Sequence, residues 1–157
     1  MTRASEAALS DDLDDPLRLD RQICFPLYAA TNLITRLYRP ILAELGLTYS
    51  QYLVMLVLWE QAPLSVSALG ERLHLDSGTL TPLLKRMETA GLVTRTRDSA
   101  DERRVLIALT AKGDALREPA RKVPEAMSAG MAIDPAEADD FREAVQGLVR
   151  ALASRTG

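Results

Sequence analysis

Between Ser65 and Leu109 the hydrophobic spacing switches from helical steps to alternation, and this limits the fold more than any other feature of the chain. Leu80, Leu83, Leu84 and Met87 recur in steps of one, three and four, marking one helix face. Val105, Ile107 and Leu109 then mark every second residue, as a strand requires. Local signals divide the stretch. Ser65 or Ser67 caps a short helix through Leu73, and His74-Leu75-Asp76 is a tight turn. Asp76 or Ser77 caps the next helix, which Gly91 stops. Strands over Val93 to Arg97 and Arg103 to Leu109 flank a turn at Asp98-Ser-Ala-Asp101. Short helix, tight turn, helix and two-stranded hairpin is the order of a winged helix-turn-helix.

Helices are expected on both sides. Ile23, Leu27, Ala30, Ile34, Leu37, Ile41 and Leu45 form one stripe, ended by Gly46. Pro26 fits only in the first turn, which puts Cys24 at or just outside the helix N-terminus. Thr48-x-x-Gln51 reads as a capping box opening a buried helix to about Glu60, followed by a break at Gln61-Ala-Pro-Leu64. Thr110 caps a long helix interrupted by Pro119 and Pro124. Asp134-Pro135-x-Glu137 starts a terminal helix expected to bury Phe141, Val145, Leu148 and Leu152. One lobe has no third layer to cover the first and last stripes, so they are expected to pair across a two-fold axis. The expected fold is mainly α with a small β-wing, in a dimer. Residues 1–19 form a flexible acidic arm, 20–46 and 110–157 the dimerisation helices, and 47–109 the winged lobe.

Composition excludes several classes. The chain has 157 residues with one Cys and one His, which precludes an intrachain disulfide and a self-contained His/Cys zinc site. No metal or cofactor is expected. The longest apolar run, Leu53 to Trp59, falls short of the roughly 20 residues of a membrane span. The acidic N-terminus is unlike a secretory signal, so the cytoplasm is the expected compartment. No GxSxG, GxGxxG, Walker or HExxH run is present, and no enzyme activity is expected.

Net charge is −3, yet its distribution suits a nucleic-acid binder. Residues 1–20 carry net −4 and residues 134–147 net −4, whereas residues 64–112 carry eight bases and six acids, net +2. Local charge sets attraction to phosphates. Ser77, Thr79 and Thr81 stand at the start of the second motif helix, where small hydroxyl side chains permit close approach to base edges. Lys85 and Arg86 follow as phosphate anchors. Arg103 and Arg104 sit beside Asp101 at the hairpin tip, where an arginine on a narrow ribbon enters a minor groove. Asp101, Pro82 and Arg95 complete the candidate contact set for double-stranded operator DNA. The plainer reading of such charges is a solvated face.

The run from Leu92 to Gly113, LVTRTRDSADERRVLIALTAKG, resembles the wing of MarR-type repressors. Three further runs are similar to the organic-hydroperoxide-sensing OhrR branch of that family: LDRQICF from Leu19, LTYSQYLVMLVLWE from Leu47, and LDSGTLTPLLKR from Leu75. The likeness covers residues 19 to about 125. It implies an obligate homodimer with winged lobes and a peroxide-sensing cysteine near the start of the first helix, matched by Cys24. It further implies two tyrosines contacting that cysteine across the dimer, matched by Tyr38 and Tyr49, and a minor-groove wing arginine, matched by Arg103. Some members carry a second cysteine in the later helices. Here Val123 to Gly130 offers Met127 and Ser128 instead, the pattern of the one-Cys type, whose sulfenate reacts with a low-molecular-weight thiol.

The chemistry has its own logic. A thiolate is the reactive form of cysteine, and a helix N-terminus favours the anion. Attack on an organic hydroperoxide yields a sulfenic acid. The bland alternative for a lone Cys is an inert small hydrophobe. Two other functions compete: a MarR-type repressor released by a small aromatic ligand with an inert Cys24, and a thiol peroxidase. The second needs rapid turnover, and the chain lacks a resolving Cys and an alternating βαβ pattern.

Overall fold

The computed structural model describes residues 15–156, apart from the side chains of Pro135 and Thr156; residues 1–14, most of the expected arm, lie outside them. The chain forms two compact units, one up to Pro40 and the other from Ile41.

In the first unit, the Asp15 carboxylate accepts a hydrogen bond from the Leu17 N–H, and a single 3-10 turn covers Leu19–Arg21. The Gln22 side-chain amide donates to the Pro16 and Arg18 carbonyls. Helix α1, Cys24–Ala43, begins at the cysteine. Pro26 lies in its first turn, where the missing N–H has no intrahelical acceptor to lose. Pro40 sits inside α1, and the helix continues past it.

The second unit opens with the end of α1. Leu47 N–H donates to the Leu42 carbonyl and Gly46 N–H to that of Ala43, the two crossed bonds that close a helix over a left-handed residue. Helix α2, Tyr49–Glu60, starts at the expected capping box: Thr48 and Gln51 exchange side-chain to backbone bonds. Its Val54, Met55 and Leu58 are fully enclosed. Leu64, expected in a break, forms strand β1 together with Ser65. Helix α3, Val66–Leu73, is capped by Ser65, and helix α4, Ser77–Thr89, by Asp76. Between them His74 adopts a left-handed conformation, φ 52°. Gly91, φ 72°, ends α4, and the chain turns into strand β2, Val93–Arg97, and strand β3, Val105–Leu109.

The sheet has three antiparallel strands in the order β1-β3-β2, one more than the expected hairpin. Leu64 faces Ile107, and Val93 faces Leu109. The return strand begins at Val105 rather than Arg103, because Asp101 turns the tip a second time: its carbonyl accepts from Arg104 N–H. Leu80, Leu84, Met87, Val93 and Ile107 close the core between the two motif helices and the sheet.

Thr110 caps helix α5, Ala111–Ala115, which gives way to α6, Arg117–Ala120, and α7, Val123–Met131. The expected long helix is thus three pieces. The breaks precede the prolines by one turn: Ala115 and Ala120 are the residues whose carbonyls Pro119 and Pro124 cannot bond and crowd with their rings. Helix α8 runs Pro135–Thr156. Its stripe is not buried within the chain: Phe141 is 61% exposed, Leu148 and Leu152 are also exposed, and Val145 is half-buried.

The molecule is a mainly helical winged helix-turn-helix with a small antiparallel sheet. No described helix is long and apolar enough to cross a membrane.

Candidate functional site

The outer face of α4 is set by its inner one. Leu80, Leu83, Leu84 and Met87 point inward, which leaves Ser77, Thr79, Pro82, Lys85 and Arg86 exposed and Thr81 half-buried. Asp76 fixes the helix start. One carboxylate oxygen accepts the Thr79 backbone N–H at 2.8 Å and the other the Thr79 hydroxyl at 3.1 Å. These bonds, the backbone one foremost, hold the Asp76 carboxyl below the usual aspartate range. The Thr79 hydroxyl hydrogen is therefore engaged by the cap, which leaves its oxygen as an acceptor.

The wing tip is stiffened by two aspartates. Asp101 receives the Arg103 guanidinium through two bonds, 3.0 Å from Nε and 3.2 Å from Nη2, and also the Arg103 backbone N–H. Pairing with Arg103 depresses the Asp101 pKa and raises that of the arginine. Asp98 takes the Ala100 N–H and lies 3.6 Å from Arg104. The Asp98 N–H donates to the Arg104 carbonyl and closes the loop. Arg103 stands 91% exposed above this scaffold. Arg95 differs: its side chain is only 21% exposed and lies 3.5 Å from Glu88 on α4. It ties the first wing strand to the helix beside it.

In the other unit Cys24 is a free thiol and exposed. The first turn of α1 contains no acid to offset the positive helix end. Tyr38, on the same helix, is half-buried. Tyr49, the first residue of α2 in the second unit, is also half-buried, and burial raises its phenol pKa. Tyr52 is buried in the core, edge-on to Trp59 with ring centres 6.4 Å apart, as a packing residue should be. Tyr28, in the first unit, is exposed.

Comparison with known proteins identifies the architecture. The family profile described as transcriptional regulator SarA/Rot matches residues 36–118. The organic hydroperoxide resistance transcriptional regulator of Bacillus subtilis is 53% identical over 110 residues, 70% of this chain and 75% of that one. The chain belongs to the MarR family of transcriptional regulators, in its organic-hydroperoxide branch. A second relative, the HTH-type transcriptional regulator TtmR of Methylorubrum extorquens, is 54% identical over 123 residues, covering 77% of this chain and 63% of that one. Among solved structures, reduced AbfR bound to DNA superposes with a TM-score of 0.75 at 36% identity, over 92% of this chain and 99% of that one.

Within this MarR-type lobe, sequence reasoning missed the acidic partners. Asp101 and Asp98 are expected only in the tip turn or as a DNA contact, and Glu88 has no expected role; the structure pairs them with Arg103, Arg104 and Arg95. Their signal is an acid two, six or seven residues from an arginine across a tight turn, a pattern that only a known turn geometry makes meaningful.

Proposed function

We propose that this chain is a redox-sensing transcriptional repressor whose homodimer holds double-stranded operator DNA until an organic hydroperoxide oxidises Cys24. The observation that carries the reading is an exposed, unpaired thiol at the first residue of a 20-residue helix, in a chain whose other unit presents a recognition helix and an arginine-tipped wing.

For DNA, α4 enters the major groove. Ser77, Thr79, Thr81 and Pro82 approach base edges, and Lys85 and Arg86 neutralise phosphates. Arg103, held by Asp101, enters the minor groove, with Arg104 beside it on the backbone. Arg95 supports this set by fixing β2 against α4 through Glu88. The exposed apolar residues of α1 and α8, among them Leu27, Leu37, Phe141 and Leu152, supply the two-fold contact. That dimer spaces two recognition helices by about one turn of DNA, roughly 34–36 Å. The regulator works where operator DNA is, in the cytoplasm.

For sensing, the Cys24 thiolate attacks the terminal oxygen of the hydroperoxide. An S–O bond forms, the O–O bond breaks, and the alkoxide leaves and is protonated to the alcohol. The product is the sulfenic acid. A low-molecular-weight thiol then displaces water from it to give a mixed disulfide. Across the dimer, Tyr38 and Tyr49 of one protomer donate phenol hydrogens to the reduced sulfur of its partner, and oxidation or thiolation removes that arrangement. A hundredfold loss of affinity needs only about 2.7 kcal/mol of differential binding.

Intact mass with parallel DNA titration tests the reading. One equivalent of an organic hydroperoxide should add about 16 Da, replaced by a mixed-disulfide adduct when a small thiol is present, with loss of DNA binding in step. Full binding by fully oxidised protein would overturn it.

A further inference from the structure

A buried side-chain bond of the winged unit joins α2 to the base of the wing. Trp59, in the last turn of α2, is buried, and its indole Nε1–H donates to the Gly113 carbonyl at 3.1 Å across 54 residues of sequence. Helix α5 has five residues, and the carbonyls of the last four in any helix lack an intrahelical donor. The indole supplies one. Gly113 is itself wedged against the segment leaving the recognition helix: a Cβ there would meet the Leu92 carbonyl oxygen at 2.1 Å. Its N–H donates to the Thr110 hydroxyl at 3.0 Å. That hydroxyl in turn donates to the Gly91 and Leu92 carbonyls, and the Lys112 ammonium donates to that of Ala90 at 2.8 Å. The end of α4, the end of β3 and the end of α2 are therefore bonded to one turn, residues 110–113.

We propose that Trp59 is a positioning residue for DNA docking: its bond to Gly113 sets the height and tilt of the wing relative to α4. The wing arginine reaches the minor groove only if β3 leaves the lobe at the correct angle while α4 lies in the major groove. Two strands of five residues lever any error at their base out to the tip. The indole bond removes that error at its origin. Trp59 thus acts through Arg103 and carries no charge to the DNA. The inference rests on the proposed minor-groove role of Arg103.

The test is a double-mutant cycle with Trp59→Phe and Arg103→Ala, using a duplex that the unaltered protein selects from a random-sequence pool. Trp59→Phe keeps an aromatic ring and removes the N–H. It should weaken binding about tenfold, or about 1.4 kcal/mol. The decisive readout is coupling: the Arg103→Ala penalty should shrink several-fold in the Trp59→Phe background, because a misplaced wing has less to lose. A general loss of stability would leave that penalty unchanged, and an unchanged penalty in folded protein overturns the proposal. If Arg103→Ala costs nothing even beside an intact Trp59, the docking reading fails instead. Trp59 is the chain's one tryptophan, so 15N-indole labelling gives a single resonance in the unaltered protein. Its N–H should be protected from exchange and should shift when the selected duplex binds. Rapid exchange, or no shift on saturation with that duplex, overturns the proposal even if Trp59→Phe does not fold.

Discussion

The wing tip and the start of α1 are both exposed, and they are built in opposite ways. At the tip the charges are already committed within the protein: Arg103 to Asp101, Arg104 to Asp98, and backbone N–H groups to both acids. At the start of α1 the thiol is exposed, and no acid in the first turn competes with it for the helix end. A DNA-reading surface gains from side chains ordered before contact, since ordering them on binding costs affinity. A sensing surface must instead stay open to a small oxidant and change when it reacts. The difference separates a shape that is kept from a group that is consumed.

The largest expected effect tests the open end. Cys24→Ser should bind DNA within about twofold of the unaltered protein, yet lose the hundredfold or greater release on hydroperoxide addition. Titrations of a selected duplex with and without cumene hydroperoxide measure both. Release that persists in the variant would falsify the sensor assignment. Next comes the ordered end. Arg103→Ala should cost about 1–3 kcal/mol of DNA binding, the range for a well-placed side chain, with only a small change in the unfolding midpoint. Asp101→Asn should cost less, because the guanidinium remains and only its restraint is lost. Equal losses would mean that the pairing, and not the arginine, carries the contact.

Tyr38→Phe and Tyr49→Phe should each slow oxidation about tenfold, the scale of one hydrogen bond to an anionic sulfur. Stopped-flow consumption of hydroperoxide would show it, and unaltered rates would remove both phenols from the sensor. Lys85→Ala should flatten the dependence of log affinity on log salt by about one unit, with nearly the same loss on every sequence. A sequence-dependent loss would move Lys85 from phosphate to base.

The smallest effect is a titration. Pairing with Arg103 lowers the Asp101 pKa, so the folded form prefers the carboxylate. Its contribution is complete above the ordinary value of about 3.9 and is lost as pH falls through the lower folded value. Carboxyl NMR should find the Asp101 midpoint below that of a free aspartate, and Arg103→Ala should return it upward. A midpoint at the ordinary value would show that the tip is not ordered in solution.

Much of the architecture was legible without coordinates, because its signals are local. Thr48 and Gln51, Ser65, Asp76 and Thr110 cap helices through bonds that span three residues, so a short window of sequence contains both partners. The inward stripe of α4 needs only the helical period, and the outward face that carries Ser77, Thr79, Lys85 and Arg86 follows from it. Pro26 confines the start of α1 to within a residue or so of Cys24, and the structure puts it at Cys24.

What needed the tertiary structure is what depends on distant neighbours. Two residues, Leu64 and Ser65, are too few to show a period, and β1 exists because β3 offers it backbone partners some 40 positions away. Arg95 and Arg103 look alike in sequence, yet one lies against Glu88 and the other stands in solvent; burial is a property of the fold around a side chain, not of its type. The stripe of α8 was visible in the chain, but its exposure was not, since periodicity names the face and not what covers it. Trp59 read only as core. Its bond to Gly113 required both ends of the lobe to be in place, because a buried donor takes whichever acceptor the packing brings to it.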